Sequence, residues 1–67
     1  MLKKRSFSLA GHRTSVALEA EFWAVLDESV QGGSLAALVA QVDAQRGERP
    51  LASALRLHEL ALVRAQT

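Results

Sequence analysis

The chain has 67 residues, 49% of them apolar, a formal net charge of +1 and no cysteine. This length fits one small domain with a marginal core, and with no thiol to form a disulfide or a thiolate zinc site, self-association is the expected means of stabilising it. The +1 divides unevenly: residues 1–18 carry Lys3, Lys4, Arg5 and Arg13 and no acid, whereas residues 19–67 carry seven acids against four arginines, a segregation that points to an anionic partner for the basic end.

The start, Lys3-Lys4-Arg5, is basic, but the apolar stretch of a signal peptide does not follow it, and no uncharged run is long enough to span a bilayer. A cytoplasmic protein without a membrane role is expected. Arg5-Ser6-Phe7-Ser8-Leu9 then alternates, with Phe7 and Leu9 on one face and the serines on the other. Arg13 to Leu18 alternates as well, with Thr14, Val16 and Leu18 opposite Arg13, Ser15 and Ala17, the pattern of a half-buried strand. The two runs are out of phase, so Ala10-Gly11-His12 must reset the register, and Gly11 can adopt a turn or bulge geometry. Residues 3–9 are therefore either a flexible arm or a strand folded back on Arg13–Leu18.

After Leu18 the period becomes helical. A first helix is expected from about Ala20 to Val30, opened by Glu19 and Glu21, with Phe22, Val25, Leu26 and Val30 on its apolar stripe and Trp23 beside it. Gly32-Gly33 stops it, one of them at positive φ, and Ser34 caps a second helix whose stripe is Leu35, Leu38, Val39 and Val42. Gly47 ends that helix. Pro50 opens a third, about Leu51 to Ala65, with Leu51, Ala54, Leu55, His58 and Leu62 on one stripe and Leu57, Leu60, Ala61 and Val63 broadening it. So apolar a helix is expected to lie partly in a subunit interface. Trp23, Phe22 and His58 read as core or interface residues, His12 as an exposed turn residue, and Glu19 with Glu21 as helix-start charges rather than a catalytic pair. No nucleophile–base pairing, phosphate loop or metal cluster is legible in the sequence, so neither an enzyme nor a cofactor is expected.

The string Arg13-Thr14-Ser15-Val16-Ala17-Leu18-Glu19, followed by Glu21-Phe22-Trp23 and then Gly32-Gly33-Ser34, resembles the ribbon-helix-helix family of Arc/methionine-repressor-like DNA-binding domains. With Lys4 to Trp23 and the later Leu51-Ala52-Ser53-Ala54-Leu55-Arg56, it is similar to a bacterial subfamily with a third C-terminal helix. The resemblance implies a mostly α fold with a short N-terminal strand, in an intertwined homodimer held by an intermolecular antiparallel β-ribbon. It divides the chain into a basic arm or extra strand (1–12), the ribbon-helix-helix core (13–46), and a linker with the third helix (47–67). The partner it implies is double-stranded DNA. Arg13, Ser15 and Ala17 face bases in the major groove, although Ala17 offers only a methyl group. Gly33, Ser34 and Leu35 at a helix start, together with Lys3, Lys4 and Arg5, meet phosphates. Val16, Leu18, Phe22, Leu26, Leu38, Val39 and Val42 form the dimer core. The function implied is a sequence-specific transcriptional regulator. The alternative is an assembly module, antitoxin-like partners included, built on the same dimer with the third helix docking a protein or further copies. A fixed hairpin over residues 3–18 would give the dimer a four-stranded sheet, wider than the two-stranded ribbon that fits the groove.

Overall fold

The computed structural model describes residues 1–65. Two antiparallel strands, β1 (Leu2–Leu9) and β2 (His12–Glu19), lead into three helices, α1 (Ala20–Ser29), α2 (Leu35–Gln45) and α3 (Leu51–Ala65). Of the two forms open to residues 3–9, the chain adopts the folded-back strand. The register runs without a break from Leu9 opposite His12 to Leu2 opposite Glu19. A two-residue turn joins the strands, with Ala10 at φ 51° and Gly11 at φ 82°. Two successive positive φ values make the tight hairpin turn whose twist matches that of its strands. This turn is the expected phase reset: it brings odd positions of β1 and even positions of β2 to the same face of the sheet.

That face is the lid of the core. Phe7, Leu9, Val16 and Leu18 are buried there against Trp23 and Leu26 of α1, Val39 and Val42 of α2, and Leu51, Ala54 and Leu55 of α3. Trp23, which the sequence pattern sets beside the stripe, is among the most deeply buried side chains, whereas Phe22 and Val25 are only half-buried. The indole explains its own position. Its ring lies 6.0 Å from that of Phe7, and its N–H donates to the Lys3 carbonyl at 2.7 Å, so a large apolar body is buried with its one polar atom satisfied.

The helices begin and end where local chemistry directs. α1 stops at Ser29, and the chain turns through Gln31 (φ 47°) and Gly32 (φ 84°). At Gly33 a Cβ would lie 2.9 Å from the Val30 carbonyl oxygen, which accepts from the Gly33 N–H at 2.7 Å. Only glycine permits that approach. Ser34 then caps α2, its hydroxyl accepting from the Ala37 N–H at 3.1 Å. Pro50 immediately precedes α3 and its carbonyl accepts the first helical bond, from the Ala54 N–H at 3.0 Å.

The seven residues expected to form a dimer core make up much of the core within one chain. Val16, Leu18, Leu26, Val39 and Val42 are buried, and Phe22 and Leu38 are half-buried at its margin. β2 finds its ladder partner in β1 of the same chain, which leaves the other edge of β2 for the intermolecular pairing that the resemblance implies.

Candidate nucleic-acid interface

With the apolar residues of both strands turned inward, the alternate residues form the outer face of the hairpin. Besides Leu2 opposite Glu19 at the open end, three cross-strand pairs lie there: Lys4 opposite Ala17, Ser6 opposite Ser15, and Ser8 opposite Arg13. Ala17 is half-buried and the other five are exposed. The hydroxyls of Ser6 and Ser15 are 3.1 Å apart and hydrogen-bonded, tying the two strands together on this side. Arg13, Ser15 and Ala17 thus share one row, as the sequence pattern requires. Lys4, Ser6 and Ser8 form a parallel row beside it. Ser6 and Ser8 were not singled out as site residues from sequence, although their alternation with Phe7 and Leu9 already placed them on the outward side. What was missing was the register that sets them beside Ser15 and Arg13.

The rest of the basic end is divided between two faces. Arg5 sits on the helix-facing side, where its guanidinium donates two hydrogen bonds to Asp27, at 2.9 and 3.1 Å, and lies 4.8 Å over the Trp23 ring. Hydrogen bonding to Asp27 raises the already high pKa of Arg5, and the same contact holds the Asp27 carboxyl below the usual range. Arg5 is therefore engaged in holding β1 to α1, while Lys3 and Lys4 remain exposed, Lys4 on the outer face. A second ion pair holds the open end of the hairpin: Arg56 of α3 donates to Glu19 at 2.9 Å and lies 5.5 Å from the Phe22 ring centre. The Glu19 carboxyl is held below its ordinary pKa, first by a hydrogen bond from its own backbone and then by Arg56.

At the start of α2, Gly33 and Ser34 are exposed and Leu35 is half-buried. The Gly33 N–H is engaged by Val30, and the Ser34 hydroxyl already serves as a cap. Of the three expected phosphate contacts, the Leu35 N–H is thus the backbone donor at the open end of the helix. His12 is exposed at the turn and His58 is half-buried, both consistent with the plain readings. Among the described residues, no cluster of His, Cys, Asp and Glu could hold a metal, and no helix is long and apolar enough to cross a membrane.

A family model described as a ribbon-helix-helix domain matches residues 2–63. The chain belongs to the ribbon-helix-helix domain family. Domains of this family are a non-enzymatic fold of regulatory proteins, typically DNA-binding transcriptional regulators or antitoxins that bind DNA as dimers. The ribbon-helix-helix match spans β1 and most of α3 as well as the strand and two helices between them, in keeping with a single core to which all five elements contribute. No curated protein and no solved structure matches the chain.

Proposed function

We propose that this ribbon-helix-helix protein is a sequence-specific DNA-binding transcriptional regulator of the bacterial cytoplasm, acting as a homodimer that presents a β-ribbon to the major groove. The observation that carries the reading is the two-sided hairpin: one face is sealed into the core, and the other holds side-by-side rows of short polar and basic side chains. A two-stranded antiparallel ribbon is an element the groove admits. Arg13 donates in pairs to guanine, Ser15 bonds to several base edges, and the Ala17 methyl group meets a thymine methyl. Ser6 and Ser8 extend the hydroxyl row. Lys3 and Lys4 meet phosphates, as does the start of α2 at Ser34 and Leu35, adding affinity without sequence information.

The folded-back β1 bears on how the ribbon enters. A hairpin on its own is narrow enough for the groove. Pairing of two copies along the other edge of β2 would make the four-stranded sheet that is wider than the groove, so docking in that form requires the β1 strands to stand clear while the central β2 pair enters. In both arrangements the outer face of β2 meets bases, and the number of chains bound per half-site separates them. Phe22 and Leu38, left half-buried at the margin of the core, are the dimer-core candidates that a second copy can still cover.

Selection from random double-stranded DNA tests the proposal. The expected result is enrichment of a palindromic site, with an affinity for it that falls steeply as salt rises. If nothing is enriched, the regulator reading fails and an assembly module on the same fold becomes the better account.

A further inference from the structure

The helices are distributed unevenly beneath the hairpin. α2 packs under β1, whereas α1 and α3 pack under β2, the strand whose second edge is unpaired among the described residues. Between these two helices lies an open hollow of about 330 Å³, lined by Phe22 of α1 and by Arg56, Leu57, Glu59, Leu60 and Val63 of α3. Its open lining is almost wholly apolar. Glu59 is 8% exposed, with its pKa raised by burial, and the Arg56 guanidinium is held by Glu19 at the end of β2. Leu57, Leu60 and Val63 are 45%, 47% and 47% exposed, and among the described residues only Met1 and Leu2 are other large apolar side chains so open. The three follow one another at three-residue spacing, a row about 9 Å long on the helix.

We propose that a second copy of the chain covers this hollow, so that the dimer is held by α3 against α3 beneath the sheet as well as by β2 against β2 within it. This rests on the homodimer proposed above and adds the face that closes it. Two identical strands pair antiparallel in one sheet about a two-fold axis perpendicular to that sheet. An axis at the open edge of β2 runs down beside the helices under β2, and the apolar surface they leave open there meets its own copy. Phe22, half-buried and a dimer-core candidate, belongs to the same hollow as the α3 row, and the Arg56–Glu19 pair ties α3 to the end of β2. The ladder alone would satisfy backbone groups while burying little apolar surface, whereas stable interfaces bury about 1,200–2,000 Å² in all. The α3 rows of two copies supply what the ladder lacks. About the axis Leu60 meets the partner's Leu60, and Leu57 meets the partner's Val63.

Cross-linking and sedimentation of the full chain, both without DNA, test it. The chain has no cysteine, so Leu60→Cys gives it a single thiol. Under mild oxidation this variant is expected to form a disulfide-linked dimer about tenfold faster than Ala44→Cys, an exposed position on α2. Leu60→Asp sets two carboxylates against each other on the axis and should weaken self-association about tenfold or more. Val63→Asp should act in the same direction. Circular dichroism checks that the variants fold, and the cysteine comparison keeps the test open if an aspartate variant does not. A dimer that Leu60→Asp and Val63→Asp leave intact, or equal linking rates for the two cysteines, overturns the proposal while sparing the homodimer. A monomeric wild-type chain overturns both. A DNA selection that enriches nothing overturns the regulator reading and leaves this result standing.

Discussion

Arg5 and Asp27 join β1 to α1 through two parallel hydrogen bonds, at 2.9 and 3.1 Å, across 22 positions of sequence. Both side chains are partly open to solvent, so the pair itself is modest. Arg5 also stacks on the Trp23 ring, a cation–π contact worth about 0.5–1 kcal/mol at such a site. Arg5→Ala is therefore expected to destabilise the fold more than Asp27→Asn, which leaves the stacking in place. Urea denaturation of the two variants measures the difference, and equal losses would mean that the stacking contributes nothing.

The acid limb of stability has a predictable sign. Asp27 and Glu19 have folded pKa values below their ordinary ones, so their contribution is complete above the ordinary carboxylate range and is lost as pH falls through the depressed values. Glu59 works oppositely: its raised pKa favours the protonated folded state, and that contribution is lost as pH rises through the folded value. Thermal melts from pH 2 to 7 should show a shallower acid decline for Asp27→Asn. Glu59→Gln should raise the melting temperature at pH 7, with the gain shrinking towards pH 4 (pH settings spaced about the reference carboxylate values).

The hairpin turn places an alanine in a left-handed conformation, Ala10 at φ 51°. A residue with a Cβ pays about 1–2 kcal/mol there, and asparagine tolerates it better. Ala10→Asn creates the Asn-Gly pair preferred in such turns and should stabilise the chain by about 0.5–1 kcal/mol. Gly11→Ala should do the reverse. Denaturant midpoints with unchanged slopes would establish both.

α3 is built into the core rather than appended to it, because Leu55 is fully buried beside the other two helices and the hairpin. Leu55→Ala should cost about 2–5 kcal/mol, the usual loss for a deeply buried leucine. In a domain this small, that is enough to unfold much of the population at 37 °C, which circular dichroism would register. Survival of the hairpin and first two helices without it would contradict the single core.

On DNA, the two rows of the outer face should respond differently. Arg13→Ala is expected to cost about 1–3 kcal/mol and relax preference at one base position, while Lys4→Ala should weaken all sequences evenly and lower the salt slope by about one. Ser6→Ala should alter preference only if β1 enters the groove together with β2. Binding isotherms on the selected site and on scrambled DNA at several salt concentrations separate these outcomes.

Much of the fold could be read in the chain because its signals are local. The opposed phases around Gly11, the Gly32-Gly33-Ser34 elbow and the periodic stripes of the helices each depend on neighbours within a few residues. What escaped depends on distant partners. Alternation places Phe7 and Leu9 on one face but does not say which strand pairs with them. Trp23 looked peripheral to α1 until the Lys3 carbonyl and Phe7 were brought to it. Arg5 read as a phosphate contact because Asp27 is remote in sequence. Glu59 left a trace that could have been followed, the four-residue spacing of Leu51, Leu55 and Glu59, which carries it to the buried side of α3. Of the candidate site, the β2 row was legible and the β1 row awaited the register.

The short connection between β1 and β2 has a consequence for when the surface exists. A hairpin closed by a two-residue turn forms from contacts near in sequence and on the microsecond scale, without waiting for an encounter between molecules. The register that sets the outward row of β2 is thus fixed by contacts within one chain and is decided before two molecules meet.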